Sequence, residues 1–199
     1  MNSDSASAAQ RRALRLHLRE RRNALTASVR IQAADAVARH WCAHPLHATP
    51  GYVAGYWAVQ GELPLHALQL RLAPGQIWCL PLLQPDNSLR FAPWRAGDPL
   101  QPNRYGIPEP VVDPASLLAP GDLALAFVPL VGFDRQGGRL GAGGGYYDRS
   151  FAFRRTQAAP PLLIGVAFAC QELPAMTREA WDVDLDAIVC ESGLIVPAE

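Results

Sequence analysis

The stretch that most constrains this chain is the apolar run Leu123 to Phe133 followed by Arg139-Leu140-Gly141-Ala142-Gly143-Gly144-Gly145-Tyr146-Tyr147-Asp148-Arg149. A continuous apolar run bounded by turn residues reads as a strand buried on both faces. The second part holds four glycines in five residues, then two aromatics, an acid and a base. Residues 147–155 read as a short helix, so the glycines sit at a strand–loop–helix junction. Glycine permits positive φ and close backbone approach to a ligand. A helix start offers unpaired N–H groups and partial positive charge. Together these suit phosphate. Arg139 and Arg149 flank the loop, and Asp148 adds a carboxylate of the hard-oxygen kind that holds Mg2+ beside a phosphate chain. The plain alternative is a flexible surface loop carrying an Arg–Asp pair.

Composition narrows the choices. The 199 residues, 49% of them hydrophobic, suffice for one domain with a sizeable core. No segment approaches a membrane span, and Met1 to Gln10 lacks the apolar centre of a signal peptide. We therefore expect a cytoplasmic protein without membrane partners; a monomer is expected as well. The 18 basic residues balance 18 acidic ones, which argues against broad nucleic-acid binding. Every basic residue is Arg, so a Walker-type lysine and Schiff-base chemistry are excluded. Any phosphate must be held by Arg, backbone and metal. Cys42, Cys79, Cys170 and Cys190 show no metal or redox spacing and read as reduced thiols.

Residues 7–23 read as a helix with Leu14 and Leu18 on one face. Arg11, Arg15, Arg19 and Arg22 form a basic stripe on another, either a solvated face or a surface for a polyanion. Thr26 or Ser28 caps a second helix that ends near His44. Residues 52–59 read as the first strand, 64–72 as a short helix, Ile77 to Leu83 and Leu89 to Pro93 as strands. Residues 95–122 are rich in Pro and Gly and read as a long covering loop. Leu123 to Leu130 is the central strand, Leu162 to Ala169 another, and Ala187 to Cys190 the last. Strands alternating with helices argue for an α/β fold. We expect a single three-layer domain over residues 1–199, Rossmann-like, with a mainly parallel sheet and helices on both faces. A mobile polar N-terminus of about 6 residues is expected to precede it. Ligands in such sheets bind at the carboxyl ends of strands, where Glu62, the glycine loop and Trp94 are expected.

Three blocks carry a resemblance. They are Val128-Pro129-Leu130-Val131-Gly132-Phe133-Asp134, Gly138-Arg139-Leu140-Gly141, and Gly143-Gly144-Gly145-Tyr146-Tyr147-Asp148-Arg149. With Arg11-x-x-x-Arg15, Gly106-Ile107-Pro108-Glu109-Pro110 and Asp182-Val183-Asp184-Leu185-Asp186, the chain resembles the 5-formyltetrahydrofolate cyclo-ligase family along nearly its whole length. The resemblance implies a reaction of 5-formyltetrahydrofolate with ATP, with Mg2+ as cofactor, giving 5,10-methenyltetrahydrofolate, ADP and phosphate. The formyl oxygen attacks the γ-phosphorus, and N10 then closes the ring as phosphate leaves.

It also implies residue roles. ATP is bound by Arg11, Arg15, Arg139 and the run Leu140, Gly141, Ala142, Gly143, Gly144, Gly145, Tyr146 and Tyr147. Arg139, Tyr147 and Asp148 serve catalysis, and Asp148 and Asp182 bind the metal. Trp57 and Glu62 are the folate-binding positions, and we expect Trp94, Tyr105 and Tyr146 to contact the same substrate. Arg11 stands where the family often has Lys, which keeps the charge and changes its geometry. A non-catalytic nucleotide or phosphosugar sensor on a similar fold would share the glycine loop without a folate pocket. An RNA-binding arginine helix is disfavoured by the net charge.

Overall fold

The computed structural model describes residues 3–198. Helix α1 (Ser3–Asn23) starts earlier than expected. Of the N-terminus expected to be mobile, Met1 and Asn2 lie outside the described residues, and the chain is helical from Ser3. Helix α2 (Ala27–Cys42) is capped by Thr26, whose hydroxyl oxygen accepts from the Val29 N–H at 3.4 Å. It buries Ala34, Val37, Ala38 and Trp41 at helical spacing.

Some of the strands that follow, the first among them, are shorter than the apolar runs suggest. The series begins with β1 (Gly51–Ala54), then the single turn α3 (His66–Gln69), β2 (Gln76–Leu83) and β3 (Leu89–Pro93). The expected covering loop contains an antiparallel hairpin, β4 (Leu100–Pro102) with β5 (Pro108–Pro110). Strand β6 (Leu123–Pro129) is followed by a second small hairpin, β7 (Gly132–Phe133) with β8 (Arg139–Leu140). The glycine loop leads from β8 into α4 (Tyr146–Ser150), one helical turn followed by a 3-10 turn at Ala152–Arg155. Strands β9 (Leu162–Val166), β10 (Ala187–Cys190) and β11 (Gly193–Ile195) complete the chain.

Among the described residues, seven strands form one sheet in the order β11-β10-β9-β6-β1-β2-β3. The five inner strands are parallel, and β3 and β11 pair antiparallel at the two edges. One face packs on α2 and α3 through Trp41, Leu68, Val53, Trp78, Phe127 and Ile164. The other face packs Ala126, Val128, Leu163 and Ile188 against Phe151 and the Val183–Leu185 segment. The α/β expectation, with helices on both faces of a mainly parallel sheet, holds. The chain runs outward from β1 to β2 and then returns to place β6 on the other side of β1. This reversal of winding opens a crevice at the carboxyl ends of β1 and β6, where α/β sheets bind ligands.

Candidate active site

A cavity of about 870 Å³ lies in that crevice. Its first bank follows β1. At Gly55 the backbone presses on the Trp78 ring, where an added Cβ would lie 1.9 Å away, so no side chain fits. The chain then leaves the sheet as irregular structure rather than the strand expected to residue 59. It turns back at Gln60-Gly61, both with positive φ (52° and 83°). Glu62 lines the cavity, and its carboxylate accepts from the Val59 N–H at 3.1 Å. Burial raises the Glu62 carboxyl above its usual range, against the lowering by that hydrogen bond and by Arg22 and Arg19. Glu62 does not start a helix, because α3 begins only at His66. Trp57 lines the same bank and is half open to solvent.

The second bank is the glycine loop. Gly143 (φ 111°) and Gly145 (φ 68°) take conformations that favour glycine, whereas Gly144 is required by contact, since an added Cβ would lie 2.4 Å from the Tyr146 ring. Arg139 is 7% exposed and donates to Asp148 Oδ1. Its guanidinium stands 6.0 Å from the Tyr147 ring centroid. Asp148 also accepts from the Val183 N–H at 3.3 Å. Burial first, and Glu62 second, push the Tyr147 phenol well up, so it stays protonated at neutral pH. Because α4 is a single turn, the expected helix-dipole contribution is small, and the loop backbone and the arginines supply the positive field.

Helix α1 reaches both banks. Arg15 Nε donates to the Gly141 carbonyl at 2.8 Å and Arg19 donates to the Ala142 carbonyl at 3.2 Å. Arg11 forms a two-pronged contact with Asp182 at 3.2–3.4 Å and lies 3.6 Å from Glu179. The tip of the β4–β5 hairpin closes the mouth, where the Tyr105 and Tyr146 hydroxyls share a hydrogen bond at 2.6 Å.

The cavity therefore brings together Arg11, Arg15, Trp57, Glu62, Tyr105, Arg139, the run 141–148 and Asp182. Two expected residues stand apart from its lining. Trp94 follows β3, which runs antiparallel, so its end lies beside Trp78 in the amino half of β2. There its indole donates to Asp98 and packs edge-on against Trp57, 6.2 Å between centroids. Leu140 is buried with Leu18 and Val131. Sequence reading missed Glu109, which lines the cavity while accepting from the Leu83 N–H and the Asn103 amide. It also missed Arg22, 2% exposed, whose guanidinium donates to the Gln60 carbonyl at 2.8 Å and the Leu130 carbonyl at 3.5 Å. A signal was present: Arg22 continues the Leu14–Leu18 spacing of the buried face.

Comparison with known proteins identifies the family. The model of the 5-formyltetrahydrofolate cyclo-ligase family matches residues 7–191. The 5-formyltetrahydrofolate cyclo-ligase of Haemophilus influenzae is 32% identical over 180 residues, which are 88% of this chain and 95% of that one. That of Escherichia coli K12 is 33% identical, over 88% and 97% of the two chains. The solved 5,10-methenyltetrahydrofolate synthetase of Aquifex aeolicus superposes with a TM-score of 0.80 at 28% identity, covering 95% of this chain and 93% of its own. The chain belongs to the 5-formyltetrahydrofolate cyclo-ligase family, and it is an enzyme of that kind.

Proposed function

We propose that the cavity binds ATP on the glycine-loop bank and 5-formyltetrahydrofolate on the Glu62 bank, and that the γ-phosphoryl passes between them. The observation that carries this reading is the convergence of two unlike banks at one switch point: a glycine loop with buried Arg139 and Asp148, and a half-buried carboxylate beside Trp57. Transfer of a phosphoryl group needs positioning and charge neutralisation more than covalent chemistry by the protein. The formyl oxygen attacks the γ-phosphorus and ADP leaves. N10 then attacks the formyl carbon of the resulting imidate phosphate, the C–O bond to phosphate breaks, and N10 loses its proton.

In this scheme Arg139 and Arg15 bind phosphate oxygens, and the loop backbone donates to them. Both arginines keep their charge while changing partners, Arg139 from Asp148 and Arg15 from the Gly141 carbonyl. Glu62 accepts from the amino-pyrimidinone edge of the pterin, which offers two parallel donors. Tyr105 and Tyr146 cover the substrates and exclude water.

Asp148 and Asp182 both line the cavity, and each is matched by an arginine. Among the described residues no group of three or more His, Cys, Asp or Glu side chains is placed to hold a metal. Two carboxylates suit magnesium that arrives with ATP, since this ion takes one or two carboxylates and completes its shell with phosphate and water. Bound there, Mg2+ would neutralise phosphate charge.

The test is incubation with 5-formyltetrahydrofolate and Mg-ATP, following methenyl product by absorbance and ADP by a coupled assay. Equal amounts of methenyl product and ADP are expected. ADP release that ignores the folate would favour a nucleotide hydrolase or sensor instead.

A further inference from the structure

The Gln60-Gly61 turn that precedes Glu62 is held in an unusual way. Gln60 adopts φ 52°, sparsely populated for a residue with a side chain, and Gly61 follows at 83°. Two guanidiniums from two helices grip the turn. Arg22 of α1 donates to the Gln60 carbonyl at 2.8 Å, and Arg30 of α2 donates to the Gly61 carbonyl at 2.7 Å. The grips are tied together, because Arg30 also donates to the Arg22 carbonyl at 2.5 Å and to the Leu25 carbonyl at 3.1 Å. A side chain at position 61 would be strained by the positive φ and crowded, with its Cβ 3.0 Å from the Asn23 amide oxygen and 3.2 Å from Arg30.

This arrangement is costly to build. Arg22 is 2% exposed and its Nε has no partner. A buried charge with an unsatisfied donor is seldom the most stable way to fill such a space.

We propose that Arg22 and Arg30 are positioning residues that hold Gln60-Gly61 in its left-handed turn so that the Glu62 carboxylate faces the folate. The inference rests on the reading of Glu62 given above. Neither arginine lines the cavity; both hold the turn by its backbone carbonyls, and the charge of Arg22 also acts on Glu62 directly. The glycine loop is held by Arg15 and Arg19 instead.

The experiment is steady-state kinetics on Arg22→Met, Arg22→Lys, Arg30→Met, Glu62→Gln and the Arg22→Met/Glu62→Gln double variant, with ATP affinity measured separately by calorimetry. For Arg22→Met and Arg30→Met, the KM for 5-formyltetrahydrofolate should rise roughly tenfold, the scale of one charge-assisted hydrogen bond. ATP affinity should stay within about twofold. Arg22→Lys, which can still reach one carbonyl, should recover part of the loss. The double variant should be no worse than Glu62→Gln alone, because residues acting through one group are not additive.

If Arg22→Met does not fold, Arg30→Met carries the same comparison, as Arg30 is only half-buried and its loss leaves Arg22 in place. Equal loss of folate and ATP affinity, or losses that multiply in the double variant, would reduce both arginines to general packing and overturn the inference. Unchanged folate KM in the arginine variants beside a raised KM in Glu62→Gln would overturn it alone. Unchanged folate KM in Glu62→Gln would overturn the folate reading of that bank as well.

Discussion

The glycine-loop bank and the Glu62 bank are both fastened by arginines from the N-terminal helices, but not in the same manner. Arg15 and Arg19 reach the Gly141 and Ala142 carbonyls of a loop whose Ala142, Gly143 and Gly144 are exposed. Arg22 and Arg30 reach the Gln60 and Gly61 carbonyls, with Arg22 buried. The first set can let go and turn to an incoming anion without unfolding anything. The second cannot move without disturbing the packing of α1 and α2. One bank is thus suited to close around a charged substrate, and the other to present a fixed acceptor to a planar one. Rigidity on the proposed folate side lowers the ordering cost of binding.

The strongest way to test the division is at Asp148. In Asp148→Asn, turnover should fall roughly 10²–10³-fold, the scale of losing one charged group from a transition-state cradle. Stability should fall as well, by about 2–3 kcal/mol, because the buried Arg139 loses its counter-charge. Adding Arg139→Met to that variant should restore melting temperature but not turnover. Near-normal turnover of Asp148→Asn at limiting Mg2+ would show that this carboxylate serves only its arginine.

Glu62→Gln probes the other bank. We expect a loss of about 1.5–3 kcal/mol in kcat/KM for 5-formyltetrahydrofolate, the scale of a hydrogen bond to a charged group, with ATP affinity within about twofold. A parallel fall in ATP affinity would erase the distinction between the banks.

Much of this arrangement was legible in the residues, and the gaps have physical causes. The parallel inner strands show as unbroken apolar runs, because a strand covered on both faces has no polar side. The strand at Ala187–Cys190 matches in both limits. Trp94 stands apart from the cavity lining because the carboxyl end of a strand is the cavity end only for the parallel strands. The direction of β3 is not written in its own residues but in its pairing with β2. The hairpin within residues 95–122 is hidden by Pro102, Pro108 and Pro110, which are poor strand formers and tolerated here in a two-stranded edge ladder. Arg22 was hidden among the six arginines of residues 11–22, since a charge in a basic stripe looks solvated until the neighbouring segments are in place.

The glycine loop allows a finer test of the first bank. Gly143→Val should raise the KM for ATP about tenfold, because φ 111° is closed to a branched residue and the loop must rebuild. Folate KM should change little. The arginines come next in size. Arg15→Ala should weaken ATP binding by about 1 kcal/mol. Arg19→Ala should have less than half that effect, since Arg15 lines the cavity and Arg19 meets only the outer carbonyl of Ala142. Equal losses, measured by calorimetry, would mean that α1 acts as a diffuse positive field.

The smallest effect concerns what the fixed bank costs the fold. Burial raises the Glu62 carboxyl, more than the Val59 N–H and the charges of Arg22 and Arg19 lower it. A carboxyl that binds its proton more tightly in the folded state than in the unfolded one destabilises the fold once it ionises. The cost is absent below the ordinary carboxylate range, where Glu62 is neutral in both states. It grows as pH rises through the ordinary value and is complete above the raised folded value. Glu62→Gln keeps an oxygen to accept from Val59 and carries no charge, so without ligands it should melt with the parent at low pH. It should exceed the parent at neutral pH. The same variant that weakens folate turnover should then be the more stable protein, as expected where a binding site is built against the fold's own preference. Thermal melts across that range decide it. A variant less stable than the parent at neutral pH would mean that Arg22 and Arg19 outweigh burial, and that the fixed bank is held together by the charge it presents.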